Sequence, residues 1–259
     1  MDEARPIVVK VGGSTLGSHD TSLADVAALR RSGRSVVVVH GGGAAISSWL
    51  ERVGVKAEFV RGLRVTDAAA LEVVVGVLAG VVNKTLVAGL SALGAPALGL
   101  SGADSLILQA RRFDEALGFV GEVSRVNPFP LQELLRLGYV PVVAPIAIEA
   151  EGEGGAQLLN TNADTAAGAI AAALGAARLV FLTDVGGVMD GDKNVLPRLS
   201  PAEARALIAS GVAGGGMIPK LEAAIAAAAA GCETVICDGR RPGALVDVVS
   251  GAAAGTVVG

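Results

Sequence analysis

The chain has few aromatic residues, few cysteines, few histidines and no excess of basic charge, and each shortage narrows what it can be. Aromatics make up only 3% of its 259 residues, although apolar residues reach 52%. The core must therefore be built from Val, Leu, Ile and Ala, and valine-rich strands with alanine-rich helices suit a layered α/β protein. Cys232 and Cys237 are the only cysteines. Two are too few for a disulfide scaffold and match no zinc spacing, so they read as reduced core residues of a cytoplasmic protein. With 21 basic against 25 acidic residues the net charge is −4, which argues against a general nucleic-acid or anionic-membrane partner. An anionic ligand must then meet a local positive site. No signal-peptide-like apolar segment precedes the first strand at Ile7. The longest uncharged run, residues 85–103, is broken by Gly89, Gly94, Pro96, Gly99 and Gly102 and does not read as a membrane helix.

What the chain does have is a series of strands that run into glycines. Val36, Val37, Val38 and Val39 form a β-branched run of the kind buried on both faces of a sheet, followed by His40-Gly41-Gly42-Gly43 and a small-residue helix start. Such a turn either packs tightly and binds nothing, or lets backbone N–H groups and the helix dipole meet an anion. A second instance is Lys10-Val11-Gly12-Gly13 after the strand from Ile7. Lys10 inside an apolar strand is costly unless its ammonium reaches an anion or a carboxylate at the strand end. Two such turns would put two sets of N–H donors at the carboxyl edge of one parallel sheet, where open α/β sheets bind ligands. Neither turn is a Walker A or Gly-x-Gly-x-x-Gly fingerprint.

Further along, Arg64 precedes a Thr-Asp helix start and is either a carboxylate clamp or a surface arginine. Residues 68–93 read as one long helix apolar on several sides, hence either buried or a subunit contact, with Gly76 and Gly80 allowing close approach of a partner helix. Residues 105–111 and 119–126 read as a hairpin or meander, and residues 149–155 as a glycine-rich rim. Asn160, Asn162 and Asp164 then precede a helix; Asn162 is a natural N-cap, but capping does not require all three. Ser200-Pro201-Ala202-Glu203 is a capping-box start. Gly214-Gly215-Gly216 leads into a helix expected over residues 221–230, and Lys220 at its start opposes the dipole, as a cation facing an anion would.

Lys10 and Lys220, isolated and far apart in sequence, with Asp164 a candidate to lie between them, fit phosphoryl transfer from ATP to a carboxylate. Both reactants are anions, and the acceptor needs no general base near neutral pH. Catalysis then reduces to positioning and charge neutralisation. His19 and His40 are the only histidines, and neither has an indicated triad partner.

Lys10-Val-Gly-Gly, His40-Gly-Gly-Gly, Gly62-Leu-Arg-Val-Thr, Asn160-Thr-Asn-Ala-Asp, Leu182-Thr-Asp-Val and Gly216-Met-Ile-Pro-Lys, in this order, resemble the amino acid kinase family across essentially the whole chain. Gly118-Phe-Val-Gly-Glu-Val and Ala79-Gly-Val-Val-Asn-Lys resemble its subgroup acting on N-acetyl-L-glutamate in arginine biosynthesis. The resemblance implies an open αβα sandwich around a mainly parallel sheet. An acyl-amino-acid and dimerisation lobe would span residues 1–175, and an ATP lobe residues 176–259. It implies that Lys10 and Lys220 stabilise the transferring group and that Asp164 orients them. The backbones of Gly12, Gly13, Gly42 and Gly43 would line the site of transfer, while Arg64 and Asn160 hold the acyl substrate. Asp184, Val185, Gly186, Gly187, Val188 and Met189, with Val212, Ala213, Gly214 and Met217, would border the nucleotide. Mg²⁺ would be held mainly by ATP, with no protein ligand. Arginine-inhibited hexameric members carry an extra N-terminal helix; here only residues 1–6 precede the first strand, so the expectation is an arginine-insensitive homodimer joined through the 68–93 helix. A nitrogen-signalling protein that binds some members is not indicated by any residue. The rival readings are a sister kinase acting on carrier-linked aminoadipate or glutamate in lysine biosynthesis, and a non-catalytic ligand sensor.

Overall fold

The structure, a computed structural model, describes residues 5–12, 21–60, 63–150, 157–252 and 254–259. Gly13, His19 and Gly62 lie outside the described residues, as does most of the expected 149–155 rim. An eight-stranded sheet runs, edge to edge, through Arg198–Leu199, Thr256–Val258, Glu233–Asp238, Arg178–Thr183, Ile7–Val11, Val36–His40, Val140–Ala144 and Ala97–Ser101. Every neighbouring pair is parallel except Glu233–Asp238 with Thr256–Val258. Ile7–Val11 sits at the centre, between Val36–His40 and Arg178–Thr183. It is thus flanked on one side by early chain and on the other by late chain, the arrangement that opens a crevice at the carboxyl ends of the strands.

The two-residue period of a strand divides the valine run between two cores. Val36 and Val38, like Ile7, Val9 and Val11, pack in one layer with Val26, Leu29, Leu78, Val82, Leu86 and Leu245. Val37, Val39 and Val8 pack in the other, with Ala166, Ile170, Leu221 and Ala224. This is an αβα sandwich, and the alternation aims two polar side chains in opposite directions. Lys10 shares the face of Val8 and points toward the helix Ala163–Ala173. His40 shares the face of Val36 and Val38 and points toward the long apolar helix.

The expected 68–93 helix is continuous from Ala68 to Ala92 but contains a π-helical stretch at Gly76–Val82. Its length and apolarity would suit a membrane span. In this structure, however, Leu71, Val74, Leu78, Val82, Leu86 and Leu90 are buried in the chain's own core. Three details refine or correct the sequence reading. The helix after the triple glycine starts at Gly43, directly on the loop. The helix bearing Lys220 starts at Met217, not residue 221, because Pro219 is tolerated in a first turn, where its missing N–H has no intrahelical partner to lose. Ile146–Glu149 and Leu158–Thr161 are strands that the pattern did not reveal. They close a small ring with the expected hairpin, Leu108–Arg112 and Val120–Val126.

The helices Ala163–Ala173 and Met217–Ala229 lie against each other through a glycine. A Cβ on Gly168 would stand 2.8 Å from Ala223 Cβ and 3.1 Å from its Cα. Gly168 is one turn beyond Asp164, and Ala223 nearly one turn beyond Lys220, so this close approach sets the distance between the two charged groups. We expect Gly168→Leu to overpack the contact and destabilise the fold by ~1–3 kcal/mol in urea unfolding; an unchanged midpoint would show that the contact yields freely.

Candidate functional site

Asp164 occupies the second position of its helix, and its backbone is held by a cap two residues earlier. The Asn162 side chain accepts hydrogen bonds from the N–H groups of Asp164 (2.7 Å) and Thr165 (3.2 Å). This N-cap leaves Asn162 extended and the Asp164 carboxylate at the positive end of the helix. Lys10 Nζ lies 2.7 Å from Asp164 Oδ1, and Lys220 Nζ donates to Oδ2 at 2.9 Å. Lys220 Nζ also donates to Gly216 O at 3.0 Å. Lys10 is only 7% exposed and Asp164 5%. Burial pushes the Lys10 ammonium below the usual lysine range, the nearby Asp164 charge opposes this, and the like charge of Lys220 reinforces it. Two cations share one carboxylate, so the trio retains the capacity to meet a further anion.

The two lysines line one cleft, and Asn162 and Ala163, just before Asp164, line another. One is lined by Lys10, Gly12, Leu182, Thr183, Asp184, Val185, Gly214, Gly216, Met217 and Lys220. The Thr183 hydroxyl shapes its wall, donating to Val185 O (2.9 Å) and accepting from Val185 N–H (3.1 Å). Of the residues expected to border a nucleotide, Asp184, Val185, Gly214 and Met217 meet here. Val188 and Ala213 are instead buried in the core, and Gly187 packs against Thr256 and Val195. Gly186 abuts Val195, while Met189 and Val212 are exposed beyond the lining. Leu182, Thr183 and Gly216 line the cleft without having been singled out for this role; only their position in glycine-turn motifs hinted at it.

The second cleft, of about 210 Å³, is lined by Gly41, Gly42, Gly43, Arg64 and Asn160, among others. The helix Gly43–Arg52 begins at this loop, and first-turn N–H groups have no intrahelical partner. Gly42 is close-packed as well: a Cβ there would lie 2.7 Å from Leu78 Cδ2. Arg64 is buried, not a surface arginine. Its Nη2 donates to Ser47 Oγ (2.8 Å) and Gly43 O (3.1 Å), and its guanidinium stacks 4.6 Å from the Phe59 ring centre. Burial lowers its pKa. Asn160 donates to Thr66 Oγ1 at 3.2 Å, and Thr66 donates in turn to Arg64 O at 3.1 Å. Ser47 and Phe59 are supporting residues that no sequence pattern marked, while Thr66 closes the Gly62-Leu-Arg-Val-Thr motif without having been given a role.

His40, under the glycine loop, is fully buried. Its Nδ1 lies 2.9 Å from Gly41 O and its Nε2 3.1 Å from Asn83 Nδ2. Burial pushes its pKa down to about 4. The residues singled out from sequence thus converge on one crevice at the carboxyl edge of the sheet, apart from the displaced nucleotide-side residues named above and Gly13, which lies outside the described ones.

The amino acid kinase family model matches residues 5–238, and the chain belongs to that family. Acetylglutamate kinase of Caulobacter sp. (strain K31) is 45% identical over an alignment covering 97% of this chain and 90% of its own. Acetylglutamate kinase of Synechococcus sp. (strain CC9311) is 47% identical, covering 98% and 91% respectively. Among solved structures, N-acetylglutamate synthase from Neisseria gonorrhoeae, in complex with coenzyme A and N-acetyl-glutamate, superposes with a TM-score of 0.83 at 25% identity. That match covers 98% of this chain and 59% of the other.

The buried neutral His40 makes stability depend on pH. Its folded pKa of about 4 lies below the ordinary value of 6.5, so between these values the unfolded chain binds more protons. The histidine's contribution is complete above pH 6.5 and is lost as pH falls toward 4. Over that interval the unfolding free energy of the wild-type chain should fall by roughly 3 kcal/mol more than that of a His40→Asn variant, in urea melts at a series of pH values. Parallel curves for the two proteins would refute the assignment.

Proposed function

We propose that this chain transfers the γ-phosphoryl group of ATP to the side-chain carboxylate of N-acetyl-L-glutamate, forming N-acetylglutamyl 5-phosphate in arginine biosynthesis. The observation that carries the reading is the Lys10–Asp164–Lys220 bridge, whose lysines line one cleft while Asn162 and Ala163, just before Asp164, line another. Full-length relatives named acetylglutamate kinase support the choice of substrate.

In this reading ATP lies in the cleft of Asp184, Val185, Gly214 and Met217, and the acyl substrate in the cleft of Gly42, Gly43, Arg64 and Asn160. Residues 1–175 form the acyl-substrate lobe and residues 176–259 the nucleotide lobe, joined by one continuous sheet. The attacking carboxylate is already ionised, so no base is needed; the obstacle is repulsion between two anions. Lys10 and Lys220 reduce that repulsion from opposite sides, and Asp164 holds both ammonium groups in place before substrate arrives. Arg64 Nη1 is buried and makes no hydrogen bond among the described residues, which leaves a donor for a substrate carboxylate. Both Asp164 oxygens face lysines. This carboxylate is therefore not offered to a metal ion, and Mg²⁺ is carried by the ATP phosphates, where it adds charge neutralisation. We further assign the protein to the cytoplasm as a soluble homodimer. The contact would be the outer face of the Ala68–Ala92 helix, where Val81 is exposed and Gly76 and Gly80 have open space beside them.

Purified protein with ATP, Mg²⁺ and hydroxylamine should yield a hydroxamate from N-acetyl-L-glutamate and none from glutamate or aspartate, since hydroxylamine traps an acyl phosphate. Hydroxamate from carrier-linked aminoadipate alone would move the reaction to another pathway, and none from any acceptor would favour a sensor. Lys10→Ala and Lys220→Ala should each lower kcat by at least about 100-fold while ATP still binds in calorimetry. Arg64→Ala should raise KM for the acyl substrate by about 10- to 100-fold, with KM for ATP little changed. Light scattering should give twice the chain mass, and Val81→Asp should lower it toward one chain; a wild-type monomer would refute the dimer.

A further inference from the structure

The chemistry described above uses neither His40 nor Asn83, yet both are fully buried polar side chains beneath the glycine loop. Asn83 Nδ2 lies 2.9 Å from Val142 O, 3.1 Å from Leu100 O and 3.1 Å from His40 Nε2. Its Oδ1 accepts from Lys84 Nζ at 3.0 Å, and the same ammonium donates to Gly99 O at 3.0 Å. Two carbonyls on one side and an ammonium on the other leave the amide a single orientation, with its nitrogen toward the histidine. His40 Nδ1 must carry the proton, because its own partner is the Gly41 carbonyl oxygen, and Nε2 of the neutral ring is then an acceptor facing the Asn83 nitrogen, whose two N–H groups are shared among it and the two carbonyls. The network joins the long helix to three strands of the sheet. It also requires Gly99, whose added Cβ would stand 2.0 Å from Asn83 Oδ1.

The consequence lies in the next peptide unit. A trans peptide is planar, with C=O and N–H pointing opposite ways. A Gly41 carbonyl drawn down to the ring therefore turns the Gly42 N–H away from it, and Gly42 lines the acyl-substrate cleft. The Gly41 N–H is tied down too, donating to Val11 O at 3.0 Å. Glycine turns are otherwise free to reorient, and an N–H aimed at a developing charge is effective only if it is aimed beforehand. We propose that His40, held by Asn83 as the Nδ1–H tautomer, is a positioning residue that fixes the Gly41–Gly42 peptide so that its N–H faces the reacting anion. The proposal rests on the phosphoryl-transfer reading above, but the hydrogen-bond arrangement can be tested without it.

Ring ¹⁵N shifts of His40 should report a neutral Nδ1–H tautomer unchanged from pH 5.5 to 8; the Nε2–H tautomer would overturn the proposal. In kinetics, His40→Leu and Asn83→Leu should lower kcat by about 10-fold or more with KM for ATP within about twofold. His40→Asn, which keeps an N–H donor at the Nδ1 position, should recover most of that loss. Wild-type kcat in His40→Leu, or equal losses in His40→Leu and His40→Asn, would assign the ring to packing and overturn the proposal. Circular dichroism and melting of each variant identify any that fail to fold, and the wild-type ring tautomer decides in that event. A wild-type chain that forms no hydroxamate would refute the substrate reading, and the tautomer would still decide this one.

Discussion

One carboxylate held between two lysines, at the edge of an otherwise apolar sheet, is the constraint from which the rest of the structure follows. Lys10 is buried in a strand whose other residues are all aliphatic, and an ammonium there is tolerated only with an anion within reach. Asp164 supplies it, from a helix N-terminus that itself favours negative charge. Lys220 sits in the opening turn of a second helix, against the dipole, and the same carboxylate offsets that cost. Remove Asp164 and two cations would face each other in a dry crevice. The trio is held as a unit, with both lysines kept at disfavoured positions by the one carboxylate between them.

The fold delivers these groups by simple means. Strand alternation sends Lys10 to one layer and His40 to the other. The helix pair Ala163–Ala173 and Met217–Ala229 meets at Gly168 and Ala223, close enough for its N-terminal side chains to touch. Of the two clefts, one is walled by the glycine loop, Arg64 and the N-terminal end of the Asp164 helix, the other by Lys10, Lys220, the Thr183–Val185 turn and Gly214.

The glycine loop shows a different kind of economy. Its backbone freedom is useful for close approach to an anion but works against a defined direction for its N–H groups. The buried His40–Asn83 pair answers this from beneath, where water cannot compete for the hydrogen bonds. The π-helical stretch at Gly76–Val82 ends immediately before Asn83, so the irregular part of the long helix leads directly into the side chain that contacts the histidine.

How much of this was legible in the residues can be judged case by case. The strand-to-glycine turns, the odd lysine in a valine strand, the lysine against a dipole and the Asn162 cap were all readable, because each is a local conflict or a local capping pattern. Membership of the amino acid kinase family was readable from the order of those same motifs. The sequence by itself determined the layered α/β class, the aliphatic core and the identities of the charged trio, since composition and period-two patterning act over short stretches. Only the tertiary structure decided that Lys10 and Lys220 share one carboxylate, 154 and 56 positions away along the chain. It also decided that Val188 and Ala213 are core residues rather than cleft lining, that Ile146–Glu149 and Leu158–Thr161 are strands, and that His40 is tied to Asn83. These depend on contacts between distant segments, whose energies exist only once the chain has brought its elements together.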